Sequence, residues 1–132
     1  MRIIALETLK TMPNGTVFCT TDEWGNLESE IRILTGRFDN KDGFNGEIGL
    51  FPWVAGDENG NATWKMLDDN SKLITDKDFP TEWITVDASD HDYEPNKLFS
   101  VFSKKEVAKM IKALQWALSD LEDDFDMDEV LE

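Results

Sequence analysis

Nucleophilic or imidazole chemistry in this chain has to pass through two side chains, because the sequence holds one histidine, His91, and one cysteine, Cys19. A Ser/His/Asp or Cys/His site would therefore be built around His91. That residue lies in the acidic stretch Asp90-His91-Asp92-Tyr93. Asp-His-Asp is chemically suited to a metal or to proton transfer, but alternate residues of an extended segment point to opposite sides. Asp90 and Asp92 then face away from His91, and a solvated loop histidine is the expected role. A single cysteine also excludes an internal disulfide and a cysteine-based zinc site.

Oxygen-ligand chemistry has one superficial candidate, Asp57-Glu58-Asn59-Gly60-Asn61. A calcium loop of the EF-hand type needs Gly at its sixth position and Glu at its twelfth. Counted from Asp57 these positions are Ala62 and Asp68, and Asn59-Gly60 is better explained as a hairpin turn. Gly36, Gly43, Gly46 and Gly49 lack the Lys-Ser/Thr ending and the following helix of a phosphate loop. Acid–base catalysis by paired carboxylates stays open on inventory alone, since 28 acidic residues are present and spacing does not show which of them converge. No catalytic, cofactor-binding or metal-ligating residue is assigned, and the chain is expected not to be an enzyme.

Charge says more than any motif. Asp and Glu number 28 against 13 Lys and Arg, a net of −15 on 132 residues. Such a field repels nucleic acid and anionic membrane and attracts basic protein surfaces. Acidity for solubility alone is the plainer reading, although −15 exceeds the roughly 2–8 that solubility calls for in a small domain. Five Trp and eight Phe raise the possibility of a base-stacking platform. Residues 1–100 alone carry nine basic and nineteen acidic residues, so no basic groove accompanies those rings, and core packing is their expected use.

The elements that must position these side chains follow from periodicity and turn chemistry. Ile3, Leu6, Leu9 and Met12 recur at helical spacing and Pro13-Asn14-Gly15 ends the run, which predicts a short N-terminal helix. TVFCTTD, SEIRILTGRF, FNGEIGLFPWV and NATWKML read as strands. They are separated by turn signals at Gly25-Asn26, Asp42-Gly43 and Asn59-Gly60, the pattern of an antiparallel meander. Pro52 implies an edge position or a bulge. EWITVDA is a further strand, and LFSVF is either a last buried strand or the lead-in to a helix. From Ser103 the capping-box spacing Ser103…Glu106 opens an amphipathic helix, with Val107, Ile111, Leu114 and Leu118 expected against the sheet. The predicted class is α+β: a meander sheet of about four to six strands packed by a C-terminal helix, with a short N-terminal helix.

Residues 1–121 are expected to form one domain and residues 122–132 an acidic tail. Eight acids and no base fall between Asp120 and the end. That segment can be an inert solvated end, a continuation of the helix, or a recognition segment in which Phe125, Met127, Val130 and Leu131 are interleaved with acids. The opening residues lack the apolar core of a signal peptide and no run is long enough to cross a bilayer, so a soluble, cytoplasmic protein is expected.

The functional expectation is an acidic protein-binding inhibitor or regulator of a nucleic-acid-processing protein, a nucleic-acid mimic of the anti-defence or toxin-immunity type by size and charge. Its partner would be a basic protein surface, with no direct contact to nucleic acid or membrane. The candidate partner-binding residues are Asp87, Asp90, Asp92, Glu94, Asp120, Glu122, Asp123, Asp124, Phe125, Asp126 and Asp128. The alternative is a small accessory domain that docks through its aromatics and C-terminal helix, its acidity incidental.

Overall fold

Leu98-Phe99-Ser100-Val101-Phe102 is too short for a stable helix and rich in side chains that suit a pleated surface. It becomes a strand paired on both of its edges. A computed structural model of the chain describes residues 1–37, 45–55, 66–82, 85–86, 93–119 and 124–132. Its strands are β1 (Arg2–Ala5), β2 (Val17–Thr21), β3 (Arg32–Arg37), β4 (Asn45–Gly49), β5 (Trp53–Val54), β6 (Thr81–Glu82), β7 (Thr85–Val86) and β8 (Leu98–Phe102). Its helices are α1 (Leu6–Leu9), α2 (Lys104–Leu118) and α3 (Met127–Leu131). The class is α+β, with a six-stranded antiparallel sheet of order β1-β8-β2-β3-β4-β7 and a two-stranded sheet of β5 and β6.

The meander runs from β2 through β3 and β4 to β7, and β8 returns to lie between β1 and β2. Directly paired residues share a face of the sheet. Ile4 pairs with Phe99, Phe18 with Val101, and Leu34 with Glu47, which gathers these side chains on one face. Leu6 and Leu9 of α1 close over that face, and Ile4, Leu6, Leu9, Phe18, Leu34 and Phe99 form the buried cluster. Phe99 packs edge-on against Phe18 and against Tyr93, with centroids 6.0 and 5.0 Å apart. On the opposite face Cys19, Thr21 and Ser100 are buried, and the Thr21 and Ser100 hydroxyls hydrogen-bond each other.

Several expectations are corrected. The short N-terminal helix is present as a single turn, Leu6–Leu9, but the residues expected to open it, Arg2–Ala5, form a strand. β-Branched Ile3 and Ile4 pair with Ser100 and Phe99, and the ladder outweighs the helical spacing of the leucines. The Pro13-Asn14-Gly15 stop is realised, with Gly15 at φ +86 and its N–H on the Leu34 carbonyl at 2.7 Å. The predicted strand around Trp53 divides: β4 stays in the main sheet, Pro52 lies outside any strand, and β5 leaves to pair with β6. EWITVDA likewise contributes to both sheets, through β6 and β7. The Asp42-Gly43 and Asn59-Gly60 turns lie outside the described residues.

The C-terminal helix begins where expected. The Glu106 N–H donates to the Ser103 hydroxyl at 3.1 Å and the Ser103 N–H to the Glu106 carboxylate at 3.0 Å, completing the capping box. Its apolar stripe differs from expectation: Ile111, Leu114 and Leu118 are 49%, 64% and 85% exposed, and no α2 residue is fully buried. The reason is that α2 packs instead on the tail. Trp116 meets Phe125 edge-on at 5.0 Å, and the Lys112 ammonium donates to the Glu132 carbonyl at 2.6 Å. These contacts use the Lys112/Trp116 side of the helix and leave the stripe bare.

Candidate partner-binding surface

Between Thr21 and Ile31 the chain turns sharply, because one carboxylate gathers the free amides of the turn. Asp22 accepts from the Trp24 N–H at 2.9 Å and from the Asn26 N–H at 2.7 Å, and its second oxygen takes the Asn26 side-chain amide at 3.0 Å. Desolvation pushes the Asp22 carboxyl up, but the donors of Asn26, Trp24 and Gly25 outweigh it and hold it below its ordinary value. Gly25, at φ +89, supplies the left-handed position. The turn presents the Trp24 indole to solvent, 81% exposed.

Facing this turn across the sheet end is the segment that leads into β8. Asp22, Glu23, Trp24, Glu28, Glu94 and Lys97 are among the residues that line a cleft of about 410 Å³. Glu28 is ion-paired with Lys97. The carboxylates of Glu23 and Glu94 make no hydrogen bond or ion pair among the described residues, and both residues are exposed. An exposed indole beside unengaged carboxylates is chemically suited to lysine or arginine, by ion pairing and cation–π contact.

Of the residues put forward from sequence, Glu94 lines this cleft, together with Asp22, Glu23, Trp24 and Glu28, which sequence reasoning passed over. The available signal was the Asp22-Glu23-Trp24-Gly25-Asn26 turn, which sets an aromatic ring at a tip where burial is impossible. Asp87, Asp90, Asp92, Asp120, Glu122 and Asp123, and also His91, lie outside the described residues. Asp124, Phe125, Asp126 and Asp128 sit in the tail at α2. Asp126 caps α3 by accepting from the Asp128 and Glu129 N–H groups at 3.0 and 3.3 Å, and Phe125 is committed to Trp116. The tail near α2 is thus partly folded, and α2 ends at Leu118 with Ser119 extended rather than running on into α3.

A second polar cluster is internal. Glu47 is 1% exposed, and an Arg32 guanidinium nitrogen lies 3.0 Å from its carboxylate. The Tyr93 hydroxyl also approaches it, at 2.9 and 3.1 Å. Glu30 approaches the other side of Arg32, 3.9 Å from Nε. Burial, and then the Glu47 charge, push the Tyr93 phenol above its ordinary value against the opposing Arg32 charge. Burial likewise pushes the Cys19 thiol up, with Arg32 opposing. A buried carboxylate neutralised by a guanidinium and hydrogen-bonded by a phenol is an arrangement that holds strands together. Among the described residues no group of three or more His, Cys, Asp or Glu is placed to hold a metal ion, and no helix is long and apolar enough to cross a membrane. Comparison of the chain with family models, with curated proteins and with solved structures gives no significant match to any of them.

Proposed function

We propose that this chain works by binding, as an acidic inhibitor or regulator that docks on the basic surface of a nucleic-acid-processing protein in the cytoplasm, without catalysis of its own. The observation that carries the reading is the cleft at Trp24, where an exposed indole stands beside the unengaged carboxylates of Glu23 and Glu94. Carboxylates at the rim take the lysine and arginine contacts that phosphates would otherwise receive, and the indole supplies apolar area at low entropic cost. A chain of net charge −15 adds long-range attraction to any cationic cleft.

The test is capture from native cell lysate on the immobilised protein at low salt, followed by competition with duplex DNA. The reading predicts a basic partner that DNA displaces and that Trp24→Ala fails to retain. A partner indifferent to DNA and to Trp24 contradicts it.

The exposed stripe of α2 favours a second reading, that of an accessory domain docking through its C-terminal helix. Ile111, Leu114 and Leu118 are more exposed than apolar residues on a helix face normally are unless another surface covers them.

A further inference from the structure

We infer that the Lys97–Glu28 ion pair is a strap across the Trp24 cleft, a built-in competitor that an incoming cationic side chain must displace. The inference rests on the cleft reading above and concerns how that site is regulated. Thr21 pairs with Leu98, so Asp22 and Lys97 leave the ladder of β2 and β8 side by side. On the other edge of β2, Leu27 bridges Thr21, and the Glu28 N–H donates to the Thr20 carbonyl at 2.9 Å. Lys97 and Glu28 thus start from opposite sides of β2, and their ion pair spans the end of that strand. Both residues line the cleft.

The pair also shows which ligand chemistry the cleft takes, because an ammonium of this chain is already seated there. Of the carboxylates that line the cleft, Asp22 is committed to the amides of its own turn and Glu28 to Lys97. Those of Glu23 and Glu94 are left for an occupant. A guanidinium or ammonium that enters beside the Trp24 indole comes close to the Lys97 ammonium, and like charges at short range repel. The conflict is relieved when Lys97 swings off Glu28 into solvent and the occupant takes over the carboxylate. One ion pair is then exchanged for another. Only the side chain has to move, since the Lys97 backbone N–H stays on the Glu94 carbonyl at 2.9 Å. A partly exposed pair contributes little to stability, so holding Lys97 in place weakens binding by no more than about fivefold.

The strap is tested by binding of a fluorescein-labelled hexa-arginine peptide to the full chain, read as fluorescence anisotropy at low salt. Lys97→Met should bind the peptide about three- to fivefold more tightly than wild type. Lys72→Met removes an exposed ammonium elsewhere for the same net charge, and should stay near wild-type affinity. In Glu28→Gln/Lys97→Met the gain should disappear, because the carboxylate that Lys97 vacates is gone. The Lys97 and Glu28 side chains are both partly exposed, so the urea midpoints of these variants should stay close to that of wild type. Equal gains in Lys97→Met and Lys72→Met overturn the strap, as does a gain that survives in the double variant. Trp24→Ala separates this outcome from failure of the cleft reading. If Trp24→Ala leaves peptide binding unchanged, the cleft reading falls and the strap falls with it. If Trp24→Ala weakens binding while Lys97→Met tightens it no more than Lys72→Met does, the strap alone is wrong.

Discussion

The phenol oxygen of Tyr93 lies 2.9 and 3.1 Å from the two carboxylate oxygens of Glu47, a buried residue of β4. Arg32 completes the cluster from the neighbouring strand, and together they tie the segment before β8 to β3 and β4. Loss of the hydroxyl in Tyr93→Phe leaves Glu47 with Arg32 but removes a bond to a charged group. The expected cost is about 1.5–3 kcal/mol, measured by urea denaturation.

Tyr93 is the only tyrosine in the chain, so its titration is directly visible as tyrosinate absorbance. Its pKa is raised in the fold above the ordinary 10.0, so the folded state keeps a proton that the unfolded state releases. The stabilisation is full below pH 10 and is lost as pH rises through the folded value. Wild type should therefore lose more stability above pH 10 than Tyr93→Phe does, with tyrosinate appearing later in the folded protein than after addition of urea. Coincident titrations in the two states would contradict the geometry.

Removal of one partner of the buried ion pair should be harsher. Arg32→Met leaves the Glu47 carboxylate without its guanidinium, at an expected cost of about 3–5 kcal/mol. The double variant Arg32→Met/Glu47→Leu should recover much of that loss, as a double-mutant cycle would show.

At the start of α2, Glu106 is held down to about 2 by the Met1 ammonium and then by the Ser103 N–H. A depressed carboxyl stabilises the fold above its unfolded value of 4.5, and that contribution disappears as pH falls toward 2. Wild type should lose α2 helicity in this window, and Glu106→Gln should show a smaller change there. Ser103→Ala removes the reciprocal cap and should cost about 1 kcal/mol at neutral pH.

Much of the architecture was legible because local chemistry and global fold agree. Ser103 and Glu106 marked the start of α2, and the alternation in Ile31–Thr35 marked β3. The N-terminal strand was hidden because Leu6 and Leu9 keep helical spacing in both descriptions, and only the partner β8, at the far end of the chain, decides for pairing. The bare stripe of α2 was misread for a related reason. Amphipathicity states that a face seeks cover but not which surface supplies it, and here the tail took the other side through Trp116 and Phe125. Glu94 was put forward because it is acidic, whereas its nearness to Trp24 and Glu23 at one cleft was not legible because it depends on the return of β8 beside β2.

The central claim is that a specific surface, rather than bulk charge, recognises a basic partner. It is tested most directly by the affinity of the captured partner for two variants of equal net charge, Glu23→Gln/Glu94→Gln and Asp69→Asn/Glu82→Gln. Each removes two exposed carboxylates, the first pair from the Trp24 cleft and the second from elsewhere on the surface. Site-specific docking predicts a loss of about tenfold or more for the cleft variant, a shallower salt dependence, and near-wild-type affinity for the control. Equal affinities for the two variants would contradict it.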